Sequence, residues 1–229
     1  MFPGLLLASA LFPAFFGPQA GLPVKPQRGR SDPEGYLQAL EGLRAPCPGL
    51  PVPGRRMAVE ALVGAALDLR APDQRLLTLG VAASCDREAA WKAALAACQA
   101  PAGFLRRVRA AEAVSLLVLG PGLPAHAKKE TAAVLVKALP QLSFPARLAA
   151  LRGLRRVLPA LEPAVGKPFL EELFRLALET PDFHFAEHLV WLYRSLEGRG
   201  SFSHRLRAEG PAQDPETAAW REELRVLDP

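Results

Sequence analysis

The sharpest chemical signal in the chain is the pentapeptide His184-Phe185-Ala186-Glu187-His188. In a helix, residues four apart stand one above the other. His184 and His188 would then grip one Zn²⁺ while Glu187 activates a metal-bound water as catalytic base. Such a hydrolase needs a third ligand, and only 41 residues follow His188; their carboxylates include Glu197, Glu209, Glu216, Glu222 and Glu223. The same residues also have a structural reading. On a helical projection both histidines flank the Phe185, Leu189, Leu192, Leu196 stripe beside Trp191, as hydrogen-bonded, metal-free side chains at the edge of a core.

A second constellation is cationic: Arg106, Arg107 and Arg109 on one expected helix, Lys128 and Lys129 on another, Arg152, Arg155 and Arg156 on a third. Stacked helices would align these into a basic ridge for phosphates. No aromatic residue is interleaved with them in the sequence, so base stacking has no platform there. The alternative is a solvated face on which arginine stems cover apolar surface and their heads stay in water. The net charge of +5 comes from 22 Arg against 6 Lys, in a chain with no Ile and no Asn. That bias points to a GC-rich coding sequence, and the mild basicity follows from it rather than from a nucleic-acid partner.

Other chemistries find little support. The serines lack a G-x-S-x-G context, and the VLGPGLP stretch at 118–124 has no GK[ST] and no preceding strand, so it reads as a helix stop and restart. Cys47, Cys85 and Cys98 form no CxxC pair and no metal-ligand spacing. Cys85 and Cys98 bracket one expected helix, roughly 20 Å apart and too far to bridge. Cys47 can pair with either thiol in an oxidising compartment; otherwise all three are small buried hydrophobes. The pentapeptide is similar to the signature of inverted zinc peptidases, which implies a mixed α/β domain, whereas no strand pattern is visible here.

The elements that must position these residues are helices. Leu and Ala dominate, aromatics make up 7% and β-branched residues are scarce, which favours an all-α chain. Proline punctuates it: Pro33, Pro72, Pro101, Pro124, Pro145, Pro163, Pro181 and Pro215 each precede an apolar run with helical spacing. After a helix opening at Asp32–Pro33, the periodicity predicts helices over about 55–70, 73–83, 87–99, 102–119, 124–139, 145–158, 163–179 and 182–197. Residues 1–22 form an uncharged apolar leader, read as a signal peptide cut near Ala20, a membrane anchor, or an arm packed on the body. Residues 23–33 are a linker, 34–197 a repeat-like helical domain and 198–213 a mobile linker. Residues 214–229 carry a short amphipathic helix with Trp220, Leu224 and Leu227 on one side, placed either to close the helical array or to dock on a partner.

Helices of this length joined by short turns, over roughly 55–197, loosely resemble HEAT and armadillo α-solenoids, although no repeat consensus is met. An irregular helical bundle is the other architecture. The resemblance implies a groove holding a peptide or another protein. The expected function is a non-enzymatic protein-binding adaptor or scaffold without a cofactor. The alternatives are a nucleic-acid-binding repeat protein using the arginine ridge, and a zinc hydrolase using the pentapeptide. Export, or membrane association through residues 2–22, stands beside a cytoplasmic location.

Overall fold

The computed structural model describes residues 33–229, and every described element is helical. The expected leader, most of the linker and the Asp32 cap lie outside these residues. Two compact units emerge: the first ends at Ala100 and adds Gly120–Pro124, and the second comprises Pro101–Leu119 and Ala125–Pro229.

In the first unit, α1 (Pro33–Arg44) leads through a 3₁₀ turn at Cys47–Gly49 into α2 (Val52–Asp68) and α3 (Pro72–Gln99). The α2–α3 pair is the main packing of this unit, and it buries Val59, Val63 and Leu67 of α2 and Ala82, Trp91 and Ala94 of α3. α1 leans on α3 through a 2.6 Å hydrogen bond between the Tyr36 phenol and Thr78 Oγ1, and burial pushes the phenol's pKa up. The two helices expected at 73–83 and 87–99 run on as one element with a kink at Asp86, whose backbone is extended (φ −160°, ψ 100°). Asp86 Oδ1 accepts from the Ala89 N–H at 3.0 Å, so it serves as N-cap of the second half.

That kink is tied down from two sides. Cys85, one residue before it, is bonded to Cys47 with a Cα–Cα distance of 5.2 Å. Arg55 on α2 pairs with Asp86 at 3.4 Å and donates to the Pro48 carbonyl at 3.2 Å. The proline-dense loop 45–54 therefore owes its place to a covalent bond and a guanidinium. Of the two pairings open to Cys47, the one with Cys85 forms; Cys98 stays a free, half-buried thiol whose pKa burial pushes up to about 12.

The second unit contains α4 (Phe104–Leu117), α5 (Ala127–Ala138), α6 (Phe144–Val157), α7 (Pro163–Glu179), α8 (Phe183–Glu197), α9 (Ser201–Ala208) and α10 (Pro215–Val226). Prolines open many of these helices as expected: Pro145, Pro163 and Pro215 occupy the first or second helical position, as Pro72 does in α3. Pro140 and Pro159 do the reverse job, each sitting in a 3₁₀ turn that ends a helix. Packing runs between alternate as well as successive helices: α4 on α6, α6 on α8 and α5 on α7, with α5 on α6 and α7 on α8.

Close approach of α4 and α6 needs Gly153. A Cβ at that position would sit 3.1 Å from both Ser115 Cβ on α4 and Leu135 Cδ1 on α5. The α6–α8 seam is held by Arg147, which donates to Asp182 at 2.9 Å, to the Leu139 carbonyl at 3.2 Å and to the Pro140 carbonyl at 3.3 Å. The same guanidinium lies 4.4 Å over the Phe185 ring.

Residues 198–213, expected as a mobile linker, instead hold α9 and its buried anchor Phe202. Gly198 and Gly200 take φ of +103° and +77°, so they serve a tight turn between α8 and α9. Phe202 packs against Phe174 and Tyr193 with ring centroids 4.9 and 5.6 Å away. Arg205 of α9 lies 4.4 Å over Phe174 and pairs with Glu171 of α7, which holds that carboxyl below the usual glutamate range. The C-terminal Asp228 closes the fold. Its fully buried carboxylate accepts from the Gly200 and Phe202 N–H groups, each at 2.8 Å, and so caps the start of α9.

Candidate functional site

The pentapeptide falls on the first two turns of α8, behind an Asp182 N-cap that accepts from the Phe185 N–H at 3.2 Å. His184 is 77% exposed, and its Nδ1 lies 3.7 Å from Glu187 Oε2. His188 donates from Nδ1 to the His184 carbonyl at 2.5 Å, and its ring meets the edge of Phe144 on α6 at 5.7 Å. Glu187 thus lies beside His184, which stands one turn before His188. Among the described residues no group of three or more His, Cys, Asp or Glu side chains is placed to hold a metal ion. The downstream carboxylates scatter: Glu209 lies beside Arg205, Glu222 pairs with Arg225, and Glu216 sits in the first turn of α10. Two histidines remain at the edge of a core, beside an aromatic ring.

The cationic residues are spread over α4, α5 and α6. Ser115 of α4 lies against Gly153 of α6. Arg107 is eight residues before that contact, about 12 Å back along its helix at 1.5 Å per residue, and Arg156 is three residues beyond it. Arg107 Nε donates to the Ala102 carbonyl at 2.8 Å, which engages it in the turn before α4. Lys128 reaches the Ala160 carbonyl at 3.4 Å, at the end where α6 finishes, whereas Lys129 is exposed on α5. Arg152, Arg155 and Arg156 remain exposed on α6, a helix with four arginines and no acidic residue.

Trp220, Leu224 and Leu227 turn inward. Leu224 is fully buried, and the Trp220 indole N–H donates to the Ala177 carbonyl at 3.4 Å while its ring meets Phe183 at 6.1 Å. Through Trp220, α10 thus packs back against α7 and the start of α8.

One arrangement escaped the sequence reading. Arg155 of α6 lies 4.7 Å over the ring of Trp191 on α8, and that ring is 44% exposed. Cation and aromatic are interleaved after all, across a helix seam instead of along the chain. On the same alternate helices Phe104, Leu105 and Leu116 of α4, Phe144 of α6 and Phe183 of α8 are also exposed, as is Val226 of α10, whereas α5, α7 and α9 show no exposed large apolar side chain. The signal in the sequence was weak but present: Leu105, Phe144 and Trp191 each fall off the buried stripe of their helix.

Among the described residues, no helix is long and apolar enough to cross a membrane. No protein-family model matches the chain, and no curated protein or solved structure matches it either.

Proposed function

We propose that the protein is a non-enzymatic helical scaffold, HEAT-like in its second unit, that binds another protein through the exposed face of α4, α6 and α8. One observation carries this reading: the large apolar residues exposed in the second unit concentrate on those alternate helices and are absent from α5 and α7. Exposed apolar patches of this kind mark interaction surfaces. The alternate-helix packing supports the solenoid comparison, since each helix of such an array meets its neighbour two positions away. The zinc reading lacks a third ligand beside the histidine pair among the described residues.

The Cys47–Cys85 bridge supports residence in an oxidising compartment, which fits an exported protein. A photo-crosslinking amino acid at position 191, and as control at Lys137 on α5, tests the scaffold reading in the native cell. Polypeptide adducts are expected from position 191 alone. No adduct there, or the same adducts from both positions, would overturn the proposal.

A further inference from the structure

Resting on the scaffold reading, we infer that the α4–α6–α8 face takes an acidic peptide segment that also carries large apolar side chains. The charge on the face sets the first requirement. α6 lies between α4 and α8, and its sequence FPARLAALRGLRRV contains four arginines and no acid. Arg147 is engaged by Asp182, which leaves Arg152, Arg155 and Arg156 exposed to solvent. The acidic groups on the flanking helices are Glu187, beside His184, the half-buried Glu112 and the exposed Glu197 in the last turn of α8. The centre of the face is cationic, and its complement is a carboxylate-bearing chain.

The apolar groups set the second requirement. Leu105, Leu116 and Phe144 are exposed by 56%, 38% and 47%, and Trp191 offers the side of its ring not covered by Arg155. Trp and Arg are the residue types that most often anchor protein interfaces, and here they stand in contact. Aliphatic side chains contribute nothing to binding a phosphate backbone, so the face fits a peptide better than a nucleic acid. Three helices at interaxial distances of 8–10 Å make the layer about 20 Å wide. An extended segment of about six residues spans it.

A phage library of random dodecapeptides, panned on the disulfide-intact full chain, supplies the probe. Selected sequences should combine Asp or Glu with Leu, Phe or Trp. The best of them, fluorescein-labelled, should bind about tenfold more weakly to Trp191→Ala and to Arg155→Glu, with Arg152→Glu as a second charge reversal. It should weaken as salt rises and bind Lys137→Glu on α5 as it binds the parent. Selection of peptides without acidic residues, or equal binding by Arg155→Glu, would overturn the inference. So would tighter binding of a dT dodecamer or of phosphatidylglycerol vesicles that the same variants abolish. A polypeptide adduct at position 191 together with non-acidic selected peptides would refute the partner's chemistry and leave the scaffold; no adduct at 191 refutes the scaffold itself.

Discussion

Asp228 is the residue on which the end of the chain depends, and removing its carboxylate tests the account of the second unit. Its two oxygens accept from the Gly200 and Phe202 N–H groups at 2.8 Å each, in a side chain with no solvent exposure. Ser203 Oγ donates to the Asp228 carbonyl, and Arg194 Nη1 reaches the Leu227 carbonyl at 3.5 Å, so the last residues are knitted to α8 and α9. In Asp228→Ala both helix-start donors lose their acceptor. A buried donor left unpaired costs about 1–3 kcal/mol and a lost N-cap about 1 kcal/mol, two descriptions that overlap. Because two donors are affected, the loss is about 2–4 kcal/mol, most of it felt in undocking of α9 and α10. Native-state hydrogen exchange reads this directly: the Gly200 and Phe202 amides should exchange roughly 30- to 1000-fold faster, at about 1.4 kcal/mol per decade, while amides in α5 change little. Asp228→Asn keeps one acceptor and should fall between. If the two amides exchange within threefold of the parent in Asp228→Ala, the carboxylate cap is not what holds α9, and the reasoning fails.

Four further outcomes follow from other parts of the molecule. Native protein at pH 8 should take up no iodoacetamide, because the Cys98 pKa stands at about 12; denaturant alone should expose one thiol and denaturant with reductant all three, and two or more before reduction would exclude the Cys47–Cys85 bond. That bridge closes 38 residues, so reducing it should cost the first unit about 4 kcal/mol in a urea titration. Gly153→Leu should lose about 1–3 kcal/mol or more, because its Cβ alone already meets Ser115 and Leu135 at 3.1 Å, whereas Gly80→Ala, with nothing within 4 Å, should gain up to about 1 kcal/mol; equal midpoints for both would refute the packing of α4 on α6. Glu171 is held below the ordinary glutamate range, first by its hydrogen bond from Arg205, so its contribution is present above the unfolded-state pKa and lost as pH falls through the folded one. The melting-temperature gap between the parent and Glu171→Gln should therefore be widest near neutral pH and close in acid, and a gap that ignores pH would contradict the pairing.

The helices were legible in the sequence because their information is local. Apolar residues three and four apart, with a proline at the start, placed α7 at Pro163–Glu179, the limits expected from the periodicity. What stayed hidden depended on residues far apart in the chain. Gly200 signals either mobility or a required positive φ, and only Asp228, 28 residues away, decides between them. Cys47 had two possible partners until the packing of α2 on α3 brought Cys85 to it. Arg155 over Trp191 joins residues 36 positions apart, and no spacing rule links them.

The exposed face of the second unit also bears on what a partner must bring. Covering six half-exposed large apolar side chains yields at most about 1 kcal/mol each, half of a full burial, or about 6 kcal/mol in total. Association and the ordering of a flexible segment cost about 4–15 kcal/mol, so apolar contact alone leaves little or no affinity. Charge-assisted hydrogen bonds contribute about 1.5–3 kcal/mol each, and three exposed arginines on α6 offer several. A neutral amphipathic partner gains only the first contribution and a purely acidic one only the second. Useful affinity needs both in one segment, which is why the pairing of Arg155 with Trp191 at the centre of the face matters more than either residue counted alone.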